Sequence, residues 1–333
     1  MLVTTWLSRR ALALAVATFA ALGLAACTGD TETAYLDLAP VLGGATDANP
    51  SIVIEHAQGA LTFDTIPERV YALDWGVIFV LTALGVEVQG IPENLAPDAL
   101  APLLVDPNTI TVGTLHEPCF ETIAANPADL VIVASRSAAH FEELASIAPT
   151  IDASVVTSDN VAQSKAQVRM LGEIFGRQAK AETLIADFEA TIAQITALTD
   201  EAGDALIVLT SGANVTAFGP GGRFGFLHDD LGFDTAALIT EDDRHGQSIS
   251  FEFVLEADPA WLFVIDRDAA INAGADSAQQ VLDNAIIQMT RAYQNNRIVY
   301  VDTTTWYLAG TGIVSMQSVA DDVLTVLRAG NAG

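Results

Sequence analysis

Two stretches of alternating strands and helices, separated by a stretch that is helical only, constrain the fold of this 333-residue chain more than any other feature. The first stretch contains the apolar segments "RVYALD", "VQGIP" and "DLVIVAS", with helical segments such as "VIFVLTALG" between them. The second contains "DALIVLT", "WLFVID" and "RIVYVD", and it closes on the helical "MQSVADDVLTVLRAG". Such alternation is typical of largely parallel sheets covered by helices. The pattern predicts two Rossmann-like α/β lobes.

The helical-only stretch predicts a long hinge between these lobes. It reads "VAQSKAQVRMLGEIF", breaks near Gly176, and continues as "AETLIADFEATIAQITALTDEA". The predicted organisation is an N-terminal lobe at 49–160, a helical hinge at 161–202 and a C-terminal lobe at 203–333, with an early hairpin turning near Gly59. Ligands of open α/β sheets bind beyond the carboxyl ends of the strands, so we expect a ligand in the cleft between the lobes.

The N-terminus carries an export signal. Residues 1–26 contain Arg9 and Arg10, then the apolar run "ALALAVATFAALGLAA", which is short for a membrane span. The following "LAAC" resembles a bacterial lipobox, and the resemblance implies that Cys27 becomes the acylated first residue of the mature protein. Residues 27–48 are rich in Thr, Asp, Gly and Ala and predict a flexible linker. We expect a protein of the cell envelope, tethered to the membrane by lipid alone and facing the periplasm or the exterior.

The charge balance excludes some partners. Removal of residues 1–26 takes two arginines and no acidic residue, which leaves 12 basic and 42 acidic residues and a formal charge of −30. Such a surface repels nucleic acid and favours solubility. With Cys27 acylated, Cys119 is the single remaining cysteine, so no intramolecular disulfide is expected. A buried, inert thiol is the prediction for Cys119.

Three arginines stand at or shortly after apolar strands. Arg136 follows "DLVIVAS", Arg267 follows "WLFVID", and Arg223 lies in "FGPGGRFG" after the strand-like "NVTAF". Each could pair with a carboxylate at the rim of its sheet. The mature chain has only ten arginines and two lysines, however, and three of the arginines follow strand segments of the two predicted lobes, so we expect them to converge on one cleft. The guanidinium fork suits planar oxyanions, so the expected ligand is anionic and rich in oxygen.

Two further residues add metal chemistry. His245 lies in "DDRHGQSI", before the helical "SFEFVLEA", and Tyr307 lies in the glycine-containing loop "TTTWYLAGTG". A lone loop histidine is commonly exposed, and a lone loop tyrosine commonly packs against its neighbours. Imidazole and phenolate beside arginines nevertheless suit Fe(III). Arg244 either adds a fourth positive charge or faces solvent.

The sequence lacks several motifs that are typical of enzymes. "GPGGRFG" lacks the lysine and hydroxyl residue of a phosphate-binding loop, and there is no G-x-S-x-G or H-E-x-x-H pattern. The five histidines (56, 116, 140, 228 and 245) are scattered along the sequence, which argues against a histidine cage for zinc or manganese.

Residues 50–330 resemble the lipid-anchored substrate-binding proteins of bacterial ABC importers, in the class with a helical hinge (class III). General features of that family are "IPERVYALDWGVIFVLTALGVEVQGIP", "VGTLHEPCFETIAANPADLVIV" and "IAPT". The segments "TAFGPGGRFGFLHDDLGF", "HGQSISFEFVLEADPAWLFVIDRD" and "VLDNAIIQMTRAYQNNRIVYVDTTTWYLAGTG" resemble its ferric catecholate siderophore branch. Cys119 departs from the asparagine that is common there.

The resemblance implies a role for each matched residue. Arg136, Arg223 and Arg267 would hold catecholate oxygens, while His245 and Tyr307 would complete the iron shell of a tetradentate siderophore. It implies a monomer without an intrinsic cofactor and without enzymatic activity, which delivers its ligand to an ABC permease. Glu121 in "PCFETI" and Glu252 in "ISFEFV" match the docking glutamates, although the helix dipole alone favours acidic residues at such positions.

Two other functions stay open from the sequence. A haem or cobalamin binder would share the fold, although three cleft arginines suit small planar oxyanions better than a macrocycle. A lipid-anchored enzyme on an α/β scaffold is the alternative from another class.

Overall fold

The computed structural model describes residues 51–155, 160–240, 245–271, 274 and 276–330. It opens with an antiparallel hairpin of β1 (Ile52–His56) and β2 (Gly59–Phe63), whose strands pair from Ile52 opposite Phe63 to His56 opposite Gly59. The hairpin predicted to turn near Gly59 is thereby confirmed.

The first large sheet is parallel throughout and has the order β5-β4-β3-β6-β7. Its strands are β3 (Val70–Ala72), β4 (Gly90–Ile91), β5 (Ile110–Thr111), β6 (Leu130–Val133) and β7 (Thr150–Asp152). The accompanying helices are α1 (Trp75–Leu84), α2 (Phe120–Ala125) and α3 (Phe141–Ala145), with 3₁₀ turns at Ala101–Val105 and Ser137–His140. Strands β3 and β6 are buried along their whole length, which explains their continuous apolar sequences.

Helix α1 starts at a buried cap. The Asp74 carboxylate accepts hydrogen bonds from the main-chain N–H groups of Gly76 (2.9 Å) and Val77 (3.1 Å), two donors that the helix itself leaves unpaired. The helix ends at Gly85, which adopts a left-handed conformation with φ 77°. Asp74 follows β3 closely, so this cap lies at the carboxyl edge of the sheet.

Two consecutive helices connect the sheets. They are α4 (Asn160–Ile174) and α5 (Gln178–Thr199), and the break between them includes Gly176 at φ 63°. The predicted helical stretch and its interruption are confirmed. Phe188 of α5 stacks on Phe226 at a centroid distance of 5.9 Å, which ties the connecting helices to the second half of the chain.

The second large sheet has the order β10-β9-β8-β11-β12. Its strands are β8 (Ala205–Ser211), β9 (Asn214–Phe218), β10 (Gln247–Ile249), β11 (Trp261–Asp266) and β12 (Ile298–Tyr300). The helices of this half are α6 (Phe226–Asp229), α7 (Phe251–Ala257), α8 (Arg267–Ala270), α9 (Ala278–Leu282), α10 (Arg291–Gln294) and α11 (Ile313–Gly330), with a 3₁₀ turn at Ile287–Met289. Strand β9 runs antiparallel to both of its neighbours, because a two-residue turn containing Gly212 (φ 55°) reverses the chain after β8.

A continuous hydrophobic core links the two sheets through the connecting helices. It includes Val70 of β3, Phe188 of α5 and Phe263 of β11, all fully buried. Helix α11 closes the molecule against α5, where the Gln317 amide donates to the Thr191 hydroxyl at 2.9 Å. The predicted architecture of two α/β lobes with a helical hinge is confirmed, and the lobes share one apolar core.

Glycines let the end of the chain approach α1 closely. A Cβ atom at Gly312 would lie 2.9 Å from the Gly76 carbonyl oxygen, and one at Gly76 would lie 3.1 Å from the Ala309 carbonyl oxygen. The segment before α11 therefore lies directly beside the start of α1, at the carboxyl edge of the first sheet. Across the described ranges, no helix combines the length and the apolarity needed to cross a membrane.

Candidate functional site

Two of the three arginines lie at carboxyl strand ends as predicted, and the third reaches the same place through a loop. Arg136 follows β6 closely, and Arg267 is the first residue after β11, where the Asp266 carboxylate caps α8 by accepting from Ala269 N–H at 3.0 Å. Arg223 lies in the glycine-rich loop between β9 and α6. Each of these arginines is partly buried. Strand ends place Arg136 and Arg267 at carboxyl edges. Because β9 is antiparallel, the loop after it must bring Arg223 back to Tyr307.

Tyr307 occupies a short π-helical segment, Thr304–Leu308, where the sequence predicted a loop. Its neighbours Trp306 and Leu308 are buried, and the Trp306 ring stacks on Phe263 of β11 at 6.3 Å. Adjacent residues of this segment thus anchor it in the core while Tyr307 stays half-buried.

All three arginines converge on Tyr307. Arg136 Nη2 and Arg223 Nη2 donate to the Tyr307 carbonyl oxygen at 3.0 and 2.6 Å, and Arg136 Nη1 donates to the Leu308 carbonyl oxygen at 3.1 Å. Arg267 Nε donates to the Tyr307 hydroxyl at 3.1 Å. The Arg223 guanidinium also lies 4.2 Å from the centre of the Tyr307 ring, a cation–π distance. Four of the five predicted ligand-binding side chains are therefore neighbours.

The arginines change the acidity of Tyr307. Burial raises the pKa of its phenol, but the hydrogen bonds from Arg267 and Arg223, together with their positive charges, outweigh burial. The net pKa lies below the ordinary value of 10.0. The arginines therefore make the phenolate, the form that binds metals, easier to form than in an isolated tyrosine.

Two carboxylates of the described residues lie near these arginines. Arg267 Nη1 lies 3.7 Å from Asp268 Oδ1, a long ion-pair distance, while Asp268 also accepts a hydrogen bond from Gly212 N–H. The buried Asp74 lies within electrostatic reach of Arg136; burial raises the pKa of its carboxyl, and the Arg136 charge opposes that rise. Pairing with rim carboxylates describes Arg267 in part, whereas Arg136 donates to main-chain carbonyls.

Ser211 belongs to the site and was missed from the sequence. Its hydroxyl accepts a hydrogen bond from Arg267 Nη1 at 3.2 Å. The available signal was its position as the last residue of β8, next to β11 in the sheet. The last residues of two neighbouring parallel strands lie at the same edge of the sheet, so Ser211 could have been expected near Arg267.

The two predicted docking glutamates are exposed in the first turns of short helices, Glu121 in α2 and Glu252 in α7. Hydrogen bonds from its own main-chain N–H and from Ser250 lower the pKa of Glu252. Cys119 precedes α2 and is partly exposed, so the prediction of a buried thiol was wrong. Its sulfur lies 3.0 Å from the Thr122 hydroxyl at the solvent-facing start of the helix.

His245 is exposed in the turn before β10, so a strand separates it from the helix that the sequence placed next. The adjacent Gly246 packs against the end of β9, where a Cβ atom would lie 2.6 Å from the Ala217 carbonyl oxygen. His245 therefore lies beside the start of the loop that carries Arg223, and its role at a metal stays a prediction. Arg244, Cys27 and the predicted signal and linker lie outside the described residues.

Comparison with known proteins matches the chain to one family. A model of the family described as periplasmic binding protein matches residues 70–305. The chain is 32% identical to the petrobactin-binding protein YclQ of Bacillus subtilis over 260 residues, which cover 77% of this chain and 81% of that protein. It is 33% identical to the ferric-anguibactin-binding protein FatB of Vibrio anguillarum over 278 residues, which cover 82% of this chain and 86% of that protein.

A solved structure shows the same fold. The periplasmic catecholate-siderophore binding protein VctP of Vibrio cholerae superposes with a TM-score of 0.75 and 30% identity, covering 82% of this chain and 99% of that one. The family match spans both large sheets and the helices between them, so this chain belongs to the periplasmic binding protein family.

Proposed function

We propose that this protein captures an anionic ferric siderophore outside the cytoplasm and delivers it to an ABC permease. The observation that carries the proposal is the convergence of Arg136, Arg223 and Arg267, from both halves of the fold, on Tyr307. Three guanidinium groups gathered in one partly buried place favour a ligand that brings several oxygens and negative charge. The ligands named for YclQ, FatB and VctP are siderophores.

A catecholate is the ligand class that this arrangement fits best. Fe(III) bound by two catecholates carries a single net negative charge and exposes a planar edge of oxygens, which the guanidinium forks match. The same arginines donate to main-chain and tyrosine oxygens in the structure, so their N–H groups already point toward oxygen acceptors. A catecholate edge would take the place of these acceptors.

Tyr307 and His245 would complete the iron shell when the siderophore is tetradentate. Two catecholates supply four oxygens and leave two positions on octahedral iron, which a phenolate and an imidazole can occupy. The lowered pKa of Tyr307 supports this role, because the proton must leave before the oxygen binds iron. The siderophore would supply the other donors, since the described residues hold no cluster of three or more His, Cys, Asp or Glu side chains arranged for a metal.

Delivery would use the surface on which Glu121 and Glu252 lie. Helix α2 follows β5, and α7 follows β10, whose end pairs with Val215 next to the end of β8; both glutamates thus lie at carboxyl edges. One acidic residue per lobe would contact basic residues of the permease. In this proposal the protein is a monomer held to the membrane through lipidated Cys27, with no resident cofactor and no catalytic activity.

Titration of purified protein lacking residues 1–26 with the iron complex of a bis-catecholate tests the proposal. Buried Trp306 adjoins Tyr307, so binding should quench tryptophan fluorescence and shift the charge-transfer band of the complex. Haem, cobalamin and a panel of ester and phosphate substrates are the comparison arms. Tighter binding of haem or cobalamin, or turnover of any substrate, would overturn the proposal.

Tyr307→Phe is expected to weaken binding of the tetradentate ferric bis-catecholate and shift its visible band. A hexadentate ferric tris-catecholate should be affected much less, because it leaves no position on the iron for Tyr307. The affinity of the wild type for the tetradentate complex should rise with pH up to the pKa of Tyr307, because the phenolate is the binding form. Competition titrations across pH with both ligands measure the two effects.

His245→Ala should change the two affinities in the same direction as Tyr307→Phe. Tyr293→Phe is the matched control, because Tyr293 is an exposed tyrosine of α10, outside the cleft. Unchanged relative affinities and spectra in both cleft variants would limit the site to the arginines.

A further inference from the structure

Arg136 is carried by a turn with an unfavourable backbone conformation. Ser135, directly before it, has φ 50°, in the left-handed backbone region that residues other than glycine rarely adopt. Such a conformation persists only where the surroundings hold it, and it is common where a side chain must be aimed. The contacts that hold this turn therefore decide where the Arg136 guanidinium points.

One side of the turn is held by Ser154. The Ser154 hydroxyl accepts a hydrogen bond from Ser135 N–H at 2.8 Å and donates to Asp152 Oδ1 at 2.5 Å. Ser154 N–H donates to the same carboxylate oxygen at 2.9 Å. Asp152 thus orients the Ser154 hydroxyl so that its lone pair faces the strained residue.

The other side is held by the N-terminal hairpin. The Gln58 amide, in the turn between β1 and β2, donates to the Ala138 carbonyl oxygen at 2.9 Å and to Asp152 Oδ2 at 2.8 Å. Ala57 N–H donates to the Asp152 carbonyl oxygen at 3.3 Å, which fixes the hairpin to the end of β7. Both Ser154 and Gln58 donate to Asp152, which is 5% exposed and lies opposite Val133 of β6.

We propose that Asp152, Ser154 and Gln58 act together as a bracket that positions Arg136 for the ligand. The inference rests on the proposed function, and it makes these three positioning residues that do not themselves touch the siderophore. Pairing of β6 with β7 already secures the strands, for example through Ala153 N–H to the Val133 carbonyl oxygen at 2.8 Å. The bracket acts beyond the strands, on residues 134–138. It also gives the hairpin, which belongs to neither large sheet, a part in ligand binding.

The bracket predicts that Ser154→Ala weakens binding of a ferric bis-catecholate about tenfold, the scale on which residues behind a direct ligand usually act. In the background of Arg136→Ala, the same change should add no further loss, because the group it positions is gone. Gln58→Ala should likewise weaken binding, and it should add no further loss in the background of Arg136→Ala. Ser146→Ala is the matched control, since the Ser146 hydroxyl donates to the Glu143 carbonyl oxygen in the same lobe without contact to the turn.

Hydrogen–deuterium exchange of the ligand-free protein tests the bracket independently of the ligand. Amides of residues 134–138 should exchange faster in Ser154→Ala and Gln58→Ala than in the wild type, while those of α2 stay unchanged. Failure of the wild type to bind any ferric catecholate would remove the proposed function and leave this exchange result standing. Unchanged exchange in the turn, or an equal loss of affinity with and without Arg136, would overturn the bracket.

Discussion

Arg267→Ala is expected to weaken ferric bis-catecholate binding ten- to more than a hundredfold. Loss of a hydrogen bond to a charged group costs about 1.5–3 kcal/mol, which corresponds to that range. Arg267 also lowers the pKa of Tyr307, so its removal makes the phenolate harder to form. Fluorescence titration at constant pH and salt measures the loss.

Two comparisons show whether the loss of affinity arises at the binding site and not from a less stable fold. The melting temperature of the ligand-free variant should stay close to that of the wild type, because the Arg267 side chain is 37% exposed and its ion pair is long. Arg69→Ala is the matched control, since Arg69 is exposed and precedes β3, at the sheet edge opposite to the cleft. Arg267→Lys should give an intermediate affinity, because it keeps the charge and loses the fork. Wild-type affinity in Arg267→Ala would show that Arg267 serves only its partners within the protein, Tyr307, Ser211 and Asp268.

Glu121→Arg together with Glu252→Arg is expected to abolish siderophore-dependent iron uptake in cells. The two exposed carboxylates become positive, so contact with basic residues of the permease turns into repulsion. Siderophore affinity in solution should stay near that of the wild type, because neither glutamate contributes to the arginine cluster. Uptake of a radiolabelled iron complex, beside titration of the purified variant, separates docking from binding.

Controls of the same charge are available in each lobe. Glu87→Arg and Glu201→Arg change exposed glutamates that precede β4 and β8, at the sheet edges away from the cleft. Combined in one variant, they should leave uptake intact, although the net charge changes by the same amount as in the Glu121→Arg, Glu252→Arg variant. Equal uptake by the Glu121→Arg, Glu252→Arg double variant would remove the docking assignment.

Much of the fold could be predicted from the sequence, because a continuous apolar segment indicates a strand that is buried on both faces. Strands β6 and β11 are almost entirely buried and read as continuous apolar runs, and the two-helix connection shows as a long interval without strand patterns. The arginines were found because they occupy strand ends in a chain with few basic residues. The carboxyl ends of parallel strands face one edge, which accounts for Arg136 and Arg267. Arg223 follows the antiparallel strand β9, and its loop, which the strand pattern does not predict, brings it to Tyr307.

The tertiary structure alone decided how these residues meet. Arg136 lies 172 positions from Leu308, and Arg223 lies 84 positions from Tyr307, so no local pattern could show that both donate to the same short segment. Trp306, beside Tyr307 in the π-helical turn, stacks on Phe263 of β11, and Ser135 donates to Ser154, which donates to Asp152. Periodicity reports which face of a segment is buried, whereas hydrogen bonds between distant segments depend on packing. The sequence by itself therefore determined the two lobes, the hinge and the charged strand ends, and only the packed structure determined where those charges point.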